Sequence, residues 1–255
     1  MDFPISSSII IFSAGIFALS VVTSPKHRKV KQIKEKSKKN QRSLKNVKIY
    51  FNAHAKSWDE HVNHDPEKLR KIINKLGLKP DSVVLDVGTG TGVMIPYLNQ
   101  YIRETGKIYA MDVSENMINI ARNKYENQFS NIEFIIGDVC ELEKIDGFDI
   151  VLCYSCFPHF LNQQLAINKI THLLKTNGKL MVAHSQSRKK INKIHKNVKG
   201  ITSKDKLPPI KRVRKMMTDS GLGIIEMFDN DDIFYILAKK KMDSCNLSKK
   251  KTLFY

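Results

Sequence analysis

Short runs of apolar residues, five to seven positions long, recur along the chain from about residue 82 and alternate with polar or glycine-containing stretches. Runs of this length bounded by turn residues are typical of buried β-strands. In several of the gaps between them, apolar positions recur with helical spacing instead. We predict strands at residues 82–87, 107–112, 132–136, 148–154, 179–184, 223–228 and 233–238.

The segments between these strands carry helix signals. Residues 115–125 follow Ser114, a favourable N-cap, and residues 164–174 precede the turn pair Asn177 and Gly178. Helices are also predicted at residues 55–62 and 66–76. Strands that alternate with helices indicate an α/β fold with a doubly wound, mostly parallel sheet of seven strands.

The last two predicted strands are joined differently. Residues 229–232, Asp-Asn-Asp-Asp, are too few for a crossover helix. We therefore expect the last strand to run antiparallel to its neighbour.

The first residues have another character. Residues 3–22 carry no charge, and their densest apolar part, 9–22, is about two-thirds of the ~20 residues of a membrane span. Basic residues follow this segment rather than precede it, which favours an anchor with the following domain in the cytosol over a cleaved signal. A cleaved or targeting segment and a non-native extension are the alternatives.

The chain thus divides into three parts. Residues 1–23 form the hydrophobic segment, residues 24–48 a polar, basic linker, and residues 49–255 the folded domain. The formal net charge of +18 is concentrated: residues 1–48 hold eleven Lys or Arg against two acids, and residues 188–215 hold twelve against Asp205 alone. Such clusters attract anionic surfaces or nucleic acid, but lysine runs without aromatic residues favour a solvated surface.

The cysteines do not indicate a metal site. Cys153 and Cys156 have CxxC spacing, but they lie in an apolar strand and no second pair accompanies them. We expect free thiols and no structural metal.

The motif with the most chemical content is Val84-Leu85-Asp86-Val87-Gly88-Thr89-Gly90-Thr91-Gly92. It is a buried strand that ends in three alternating glycines, which let a ligand approach the backbone at the crevice of a doubly wound sheet. Val93 stands where a dinucleotide-binding GxGxxG turn needs its third glycine, and Asp86 would repel a pyrophosphate. A ligand with a cationic end fits better.

This DxGxGxG turn resembles that of the class I S-adenosylmethionine-dependent methyltransferases, and the likeness runs from about residue 83 to 238. Asp112 and Asp138, at the ends of the second and third strands, match further positions of that family. The resemblance implies that they hold the ribose hydroxyls and the adenine amine of S-adenosylmethionine. The expected cofactor-binding set is Asp86, Gly88, Thr89, Gly90, Gly92, Asp112, Val113, Asp138, Val139 and Tyr154.

The acceptor side is less specific. The fourth strand is followed by Ser155-Cys156-Phe157-Pro158 rather than by the Asn/Asp-Pro-Pro-aromatic motif of many nucleic-acid amino methyltransferases. With Phe51-Asn52, Ala55 and Trp58-Asp59 upstream, the pattern is most similar to the ubiquinone and menaquinone biosynthesis branch and its small-molecule relatives. We expect a small-molecule acceptor; an RNA or protein methyltransferase recruited by the basic segments, or a non-catalytic cofactor-binding protein, are the alternatives.

Histidines supply candidate chemistry at this site. His159 is the candidate general base, since imidazole titrates near neutrality. A metal site of His159, His184 and His195 is a second interpretation, and ordinary polar residues at strand ends a third. Cys156, His184 and Arg188 are candidate substrate-binding residues, Arg188 for an acidic group.

Overall fold

The computed structural model describes residues 44–143, 147–198 and 200–242. The predicted membrane anchor and most of the linker lie outside these residues. Within the described ranges, no helix is both long and apolar enough to cross a bilayer.

The described residues contain seven strands and eight α-helices. The strands are β1 (Val83–Val87), β2 (Lys107–Asp112), β3 (Ile132–Ile136), β4 (Phe148–Tyr154), β5 (Leu174–His184), β6 (Leu222–Asp229) and β7 (Phe234–Lys240). The helices are α1 (44–54), α2 (Trp58–His61), α3 (Pro66–Leu76), α4 (Ile95–Asn99), α5 (Glu115–Tyr125), α6 (Gln163–Leu173), α7 (Arg188–Asn197) and α8 (Ile210–Asp219). Short 3₁₀ turns cover Ala55–Ser57, Phe157–His159 and Ile201–Lys204.

All seven strands form one sheet in the order β3-β2-β1-β4-β5-β7-β6. The pairs among β1 to β5 are parallel, whereas β7 runs antiparallel to both β5 and β6. The predicted α/β fold with a mostly parallel sheet and an antiparallel last strand is confirmed. Because β1, β2, β3 and β4 are parallel neighbours, their carboxyl ends meet at one edge of the sheet.

The apolar core lies on both faces of this sheet. On one face, Leu69 and Ile73 of α3 pack with Val84 and Ile108. On the other face, α6 and α8 pack against β4, β5 and β7. The alternation of buried side chains along each strand divides β1 between the two clusters, so that Asp86 follows the side of Val84.

Helix α3 shows how the local sequence fixes an element. The Asp65 side chain accepts hydrogen bonds from the backbone N–H groups of Glu67 and Lys68, Pro66 occupies the first turn, and Gly77 ends the helix with φ of +63°. These are the preferred residues for an N-cap, a first turn and a left-handed C-terminal position. The predicted bounds 66–76 are confirmed.

Several predicted bounds are displaced by one or two residues, and three segments differ more substantially from the prediction. Residues 44–48, assigned to the linker, are helical, and Val47 is buried. The segment 55–62 is a 3₁₀ turn followed by the short α2. Strand β5 begins at Leu174, which pairs with Phe148, and the register shifts before Lys179 pairs with Ile150, so the Asn177-Gly178 turn lies inside the strand.

Candidate active site

The glycine turn after β1 is tightly enclosed on two sides and open on one. Gly88, Gly90 and Gly92 all have positive φ. A Cβ on Gly88 would lie 2.4 Å from the Cβ of Cys156, and a Cβ on Gly92 would lie 2.7 Å from Tyr125. A Cβ on Gly90 would meet nothing within 4 Å. Packing therefore requires the outer glycines, and Gly90 presents bare backbone to open space, as a bound ligand would need.

Asp86 lies beneath this turn. It is 1% exposed, and its carboxylate accepts a 2.7 Å hydrogen bond from the Thr89 hydroxyl. Burial raises the pKa of Asp86 to about 7, against the lowering effect of that hydrogen bond and with a smaller rise from Asp112. A cationic group nearby would restore the charged carboxylate.

Asp112 ends β2 beside the turn. One of its oxygens accepts from the Gly90 N–H at 3.0 Å, and the other accepts from the Ser114 N–H at 2.8 Å. Burial raises the pKa of Asp112, and these backbone hydrogen bonds oppose the rise. The carboxylate is thus fixed in orientation, with lone pairs left to accept from a ligand.

Asp138 stands at the end of the neighbouring β3, where its carboxylate accepts a 2.9 Å hydrogen bond from the Cys140 N–H. Val113 is partly exposed and Val139 is buried, each directly after its aspartate. The structure brings this part of the predicted cofactor set together on one sheet edge.

Tyr154, also predicted to bind the cofactor, contacts Ser185 and His64 through its hydroxyl. Its hydroxyl donates to Ser185 Oγ at 2.7 Å and lies 2.8 Å from Nδ1 of His64. Burial raises the pKa of Tyr154 to about 12, so the hydroxyl stays protonated. Its role in cofactor binding stays a prediction.

Side chains of helices α1 and α2 form hydrogen bonds with residues that follow β1 and β2. Asn52 accepts hydrogen bonds from the Ser114 hydroxyl at 2.6 Å and from the Asn116 N–H at 3.2 Å. Asp59 accepts from the Thr91 hydroxyl at 2.5 Å and pairs with Lys124. The segment around Asn52 and Asp59 therefore covers the glycine turn and the end of β2.

A cavity of about 430 Å³ lies beside this covered edge. Its aromatic wall consists of Tyr50, Phe51 and Trp58, and its imidazoles are His54, His61, His64, His159 and His195. Aliphatic and small polar residues complete it, among them Val62, Ser155, Ser185, Ile191, Ile194 and Thr202. Of the residues that the structure describes, no Asp, Glu, Lys or Arg lines the cavity. Such walls suit an uncharged molecule with an apolar body.

Ser155 marks where β4 enters the cavity. It has φ of +58°, a conformation that is unfavourable for a residue with a side chain. Backbone strain of this kind is concentrated at functional sites. The strained residue lies directly before Cys156, which packs against Gly88.

His159, the candidate general base, lies in the cavity wall. Its Nδ1 is 2.7 Å from a carboxylate oxygen of Asp205. The ring packs edge-on against Phe51 at 5.1 Å and lies 5.0 Å from the ring of His195. Among the described residues, the other ring nitrogen, Nε2, has no hydrogen-bond partner.

The three candidate substrate-binding residues do not line the cavity. Cys156 is buried, donates from Sγ to the Val87 carbonyl, and has its pKa raised by burial. His184 is 1% exposed, neither ring nitrogen has a partner among the described residues, and burial lowers its pKa to about 3. Arg188 pairs with Asp229. Their contact with a substrate stays a prediction.

The structure also describes three of the cysteines and the region of the predicted metal site. Cys140, Cys153 and Cys156 are free thiols, and Cys245 lies outside the described residues. In the described ranges, no group of three or more His, Cys, Asp or Glu side chains is arranged to hold a metal ion.

Asp205 was not singled out from the sequence. The signal was present, since it is the one acid in the basic run 188–215. Ser185 and Thr91 carried no comparable signal, because short hydroxyl side chains are common at strand ends and turns.

The donor side fits S-adenosylmethionine. Gly90 leaves open space over the turn, and Asp112 and Asp138 offer carboxylates to hydroxyl and amine donors at adjacent strand ends. Asp86 provides a carboxylate whose charged form a cation would stabilise. Together with the sheet topology, these features define a class I S-adenosylmethionine-dependent methyltransferase.

Comparison with known proteins agrees with this class. Residues 78–242 match the family described as "Methyltransferase domain", and the chain belongs to that family.

Two curated relatives resemble the chain over part of their length. A malonyl-[acyl-carrier protein] O-methyltransferase of Acetivibrio thermocellus is 29% identical over 139 residues, which is 52% of this chain and 47% of the relative. A ubiquinone/menaquinone biosynthesis C-methyltransferase of Hydrogenovibrio crunogenus is 28% identical over 147 residues, 54% of this chain and 58% of the relative. The chain spans about half the length of the curated relatives it matches.

Solved structures share the fold. A S-adenosylmethionine-dependent methyltransferase from Aquifex aeolicus has a TM-score of 0.59 at 22% identity and covers 74% of this chain and 97% of its own. The magnesium protoporphyrin IX methyltransferase of Synechocystis PCC 6803, solved with bound S-adenosylmethionine, has a TM-score of 0.60 at 18% identity over 78% of this chain and 97% of its own.

Proposed function

We propose that this chain transfers the methyl group of S-adenosylmethionine to an uncharged small molecule with an aromatic or otherwise apolar body. The observation that carries the proposal is the cavity of about 430 Å³, whose described lining is aromatic, imidazole, aliphatic and uncharged polar, without Asp, Glu, Lys or Arg. Among the described residues, no Lys or Arg lines this site although the chain carries a net charge of +18, which argues against a strongly anionic acceptor. Aromatic walls favour flat partners through stacking and edge contacts.

The residues on the donor side have a binding role. Asp112 and Asp138 would accept hydrogen bonds from the nucleoside part of the cofactor, and Asp86 would lie near its cationic part. S-adenosylmethionine supplies a methyl group already activated by its positive sulfur. The protein therefore has mainly to align the acceptor and keep water out, and orientation alone lowers such barriers substantially.

His159 is proposed to take the proton of the acceptor. His159 lines the cavity, and its ring packs against the rings of Phe51 and His195. A positioned base of this kind typically contributes about 10²–10⁴-fold in rate. An acceptor without an acidic proton would not need it.

A second candidate is an RNA or protein methyltransferase recruited by basic segments. Helix α7, which lines the cavity with Ile191 and His195, exposes Lys189, Lys193 and Lys196 on its other side. RNA binding through such a surface would weaken steeply with salt. Measuring tRNA affinity at 50 mM and 200 mM salt tests this candidate.

Membrane association is a further part of the proposal. Residues 3–22 would anchor the chain beside a membrane, with the methyltransferase domain in the cytosol. Membrane fractions washed with alkaline carbonate test it. Retention in the pellet supports an anchor, whereas release into the supernatant contradicts it.

The main experiment has two stages with the full chain. Calorimetric titration with S-adenosylhomocysteine comes first, and micromolar affinity is expected. Transfer of tritium from methyl-labelled S-adenosylmethionine is then measured on matched naphthalene probes: 2-naphthol, 2-naphthylamine and 2-naphthoate. We expect labelling of the uncharged probes above the carboxylate. Preferential labelling of the carboxylate or of tRNA would overturn the proposal, and binding without transfer to any acceptor class would favour a non-catalytic cofactor-binding protein.

A further inference from the structure

The geometry points to Asp205 as the positioning residue that fixes the His159 ring with its proton on Nδ1, leaving Nε2 to receive the hydroxyl proton of the acceptor. This inference rests on the proposed function, because it assigns the proton path within the same cavity. Asp205 would not touch the acceptor itself.

The contact between the two side chains determines the tautomer. Nδ1 of His159 and Oδ2 of Asp205 are 2.7 Å apart. A carboxylate can only accept a hydrogen bond, so Nδ1 must donate. In a neutral imidazole, the other nitrogen then carries the free lone pair.

This pairing differs from the other ion pairs of the described residues. Within those ranges, Asp205 is the one carboxylate that pairs with a histidine, whereas the other paired acids meet Lys or Arg. The pair is also shielded, with side-chain exposure of 17% for His159 and 23% for Asp205. A hydrogen bond in such surroundings holds a ring more firmly than one on the surface.

The backbone around Asp205 is held in place by several contacts. Its N–H donates to the Thr202 carbonyl at 3.0 Å, and its carbonyl lies 3.1 Å from Nδ1 of His195. Two positions on, Leu207 is buried and exchanges hydrogen bonds with the Asn192 side chain, donating at 2.8 Å and accepting at 3.1 Å. A carboxylate on so constrained a segment can orient its partner to the accuracy that proton transfer needs.

The His159 side is equally constrained. Its N–H donates to the Cys156 carbonyl at 2.9 Å, and the preceding Phe157 is fully buried. Because the rings of Phe51 and His195 both pack against it, rotation of the His159 ring would disturb these two contacts. The dyad thus links the end of β4 to the segment after α7 at the cavity wall.

The proton step is simple. The O–H bond of the acceptor breaks, its electron pair stays on the oxygen that will carry the methyl group, and an N–H bond forms at Nε2 of His159. The ring then carries a positive charge, which the Asp205 carboxylate stabilises through the hydrogen bond already in place. Solvent takes the proton afterwards.

The test is the tautomer of His159, measured without turnover. The full chain, labelled with ¹⁵N in its histidines and saturated with S-adenosylhomocysteine, is studied by long-range proton–nitrogen NMR. The His159 signals are those lost in His159→Gln. We expect Nδ1 protonated and Nε2 unprotonated in the unaltered chain, and loss of this pattern in Asp205→Ala. Asp219→Ala, which removes an exposed partner of Lys215, serves as the matched control and should leave the pattern intact.

The outcomes separate the two proposals. Failure to bind S-adenosylhomocysteine would count against the proposed function. Binding with Nε2 of His159 protonated, or with the same tautomer in Asp205→Ala, would overturn the positioning role alone. Asp205→Glu keeps the carboxylate, and partial recovery of the tautomer in that variant is expected if position rather than folding is at stake.

Kinetics give a second readout once an acceptor is found. Asp205→Ala should lower kcat about 10²-fold, within the range of positioned bases, with KM for the acceptor changed less than threefold. A rise in KM for the acceptor by the same factor, with kcat retained, would show that Asp205 shapes the cavity instead.

Discussion

The thiol of Cys156 donates a hydrogen bond of 3.0 Å to the carbonyl of Val87, and its Cβ fills the space beside Gly88. The turn after β4 is therefore packed directly on the glycine turn after β1. Cys156, on the acceptor side, and Gly88, on the donor side, therefore limit the size of the side chain that each position can hold.

Gly88→Ala is expected to destabilise the fold. The new Cβ would lie 2.4 Å from Cβ of Cys156, at a backbone φ of +68°. Overpacking typically costs about 1–3 kcal/mol, and positive φ adds about 1 kcal/mol for a residue with a side chain. Urea unfolding measures the loss. Gly221→Ala is the matched control, since φ there is +88° but nothing lies within 4 Å, and a similar loss in both variants would contradict the packing argument.

Gly90→Ala separates ligand binding from folding. Its φ of +58° and open surroundings resemble those of Gly221, so both variants should lose similar stability. Only at Gly90 would the methyl group occupy the space offered to the cofactor. We expect at least a tenfold weaker binding of S-adenosylhomocysteine by calorimetry, about 1.4 kcal/mol, and no change in Gly221→Ala. Unchanged affinity in Gly90→Ala would place the cofactor elsewhere.

Asp112→Ala is expected to weaken S-adenosylhomocysteine binding by about 1–3 kcal/mol, the usual contribution of hydrogen bonds to a charged group. Because Asp112 also accepts from the Gly90 and Ser114 N–H groups, the turn itself would loosen. Asp112→Asn retains an acceptor oxygen and should lose less. Calorimetry on both variants, with melting curves to confirm folding, tests the assignment, and full affinity in the alanine variant would refute it.

Asp86 should make the unliganded fold less stable as pH rises. Its pKa in the fold is raised to about 7 by burial, from an ordinary 3.8. The unfolded chain therefore loses this proton first, and stability falls between about pH 4 and pH 7. In Asp86→Asn this loss disappears. We expect the free energy of unfolding of the variant, relative to that of the unaltered chain, to increase by about 2–3 kcal/mol from pH 5 to pH 8. Urea unfolding at both pH values measures this difference. A difference that stays constant with pH would show that Asp86 is already charged at pH 5.

The sheet was largely readable from the sequence, because buried strands and capped helices depend on local pattern. The bounds of α3 and α5 were predicted correctly from Asp65, Pro66 and Ser114. The start of β5 was not, since Leu174 joins the sheet only by pairing with Phe148, a contact between distant residues.

The candidate site divides in the same way. Asp112 and Asp138 end predicted strands and match positions of the methyltransferase family, so the resemblance allowed them to be placed together from sequence. The inward direction of His184 and the contact of Asp205 with His159 depend on packing of distant segments. No spacing of residues along the sequence predicts the direction of His184 or the contact of Asp205. Asp205 was distinguished in the sequence only as the one acid among the basic residues of 188–215.

The two halves of the site come from separate stretches of chain. The glycine turn and its carboxylates lie within residues 86–138, whereas most of the cavity wall comes from residues 50–64 and 185–202. Substitutions in the wall can therefore retune which molecules enter while the donor half keeps its sequence. For engineering, the positions to randomise are therefore the cavity-lining ones within residues 50–64 and 185–202, with Asn52, Asp59 and the strand ends left untouched.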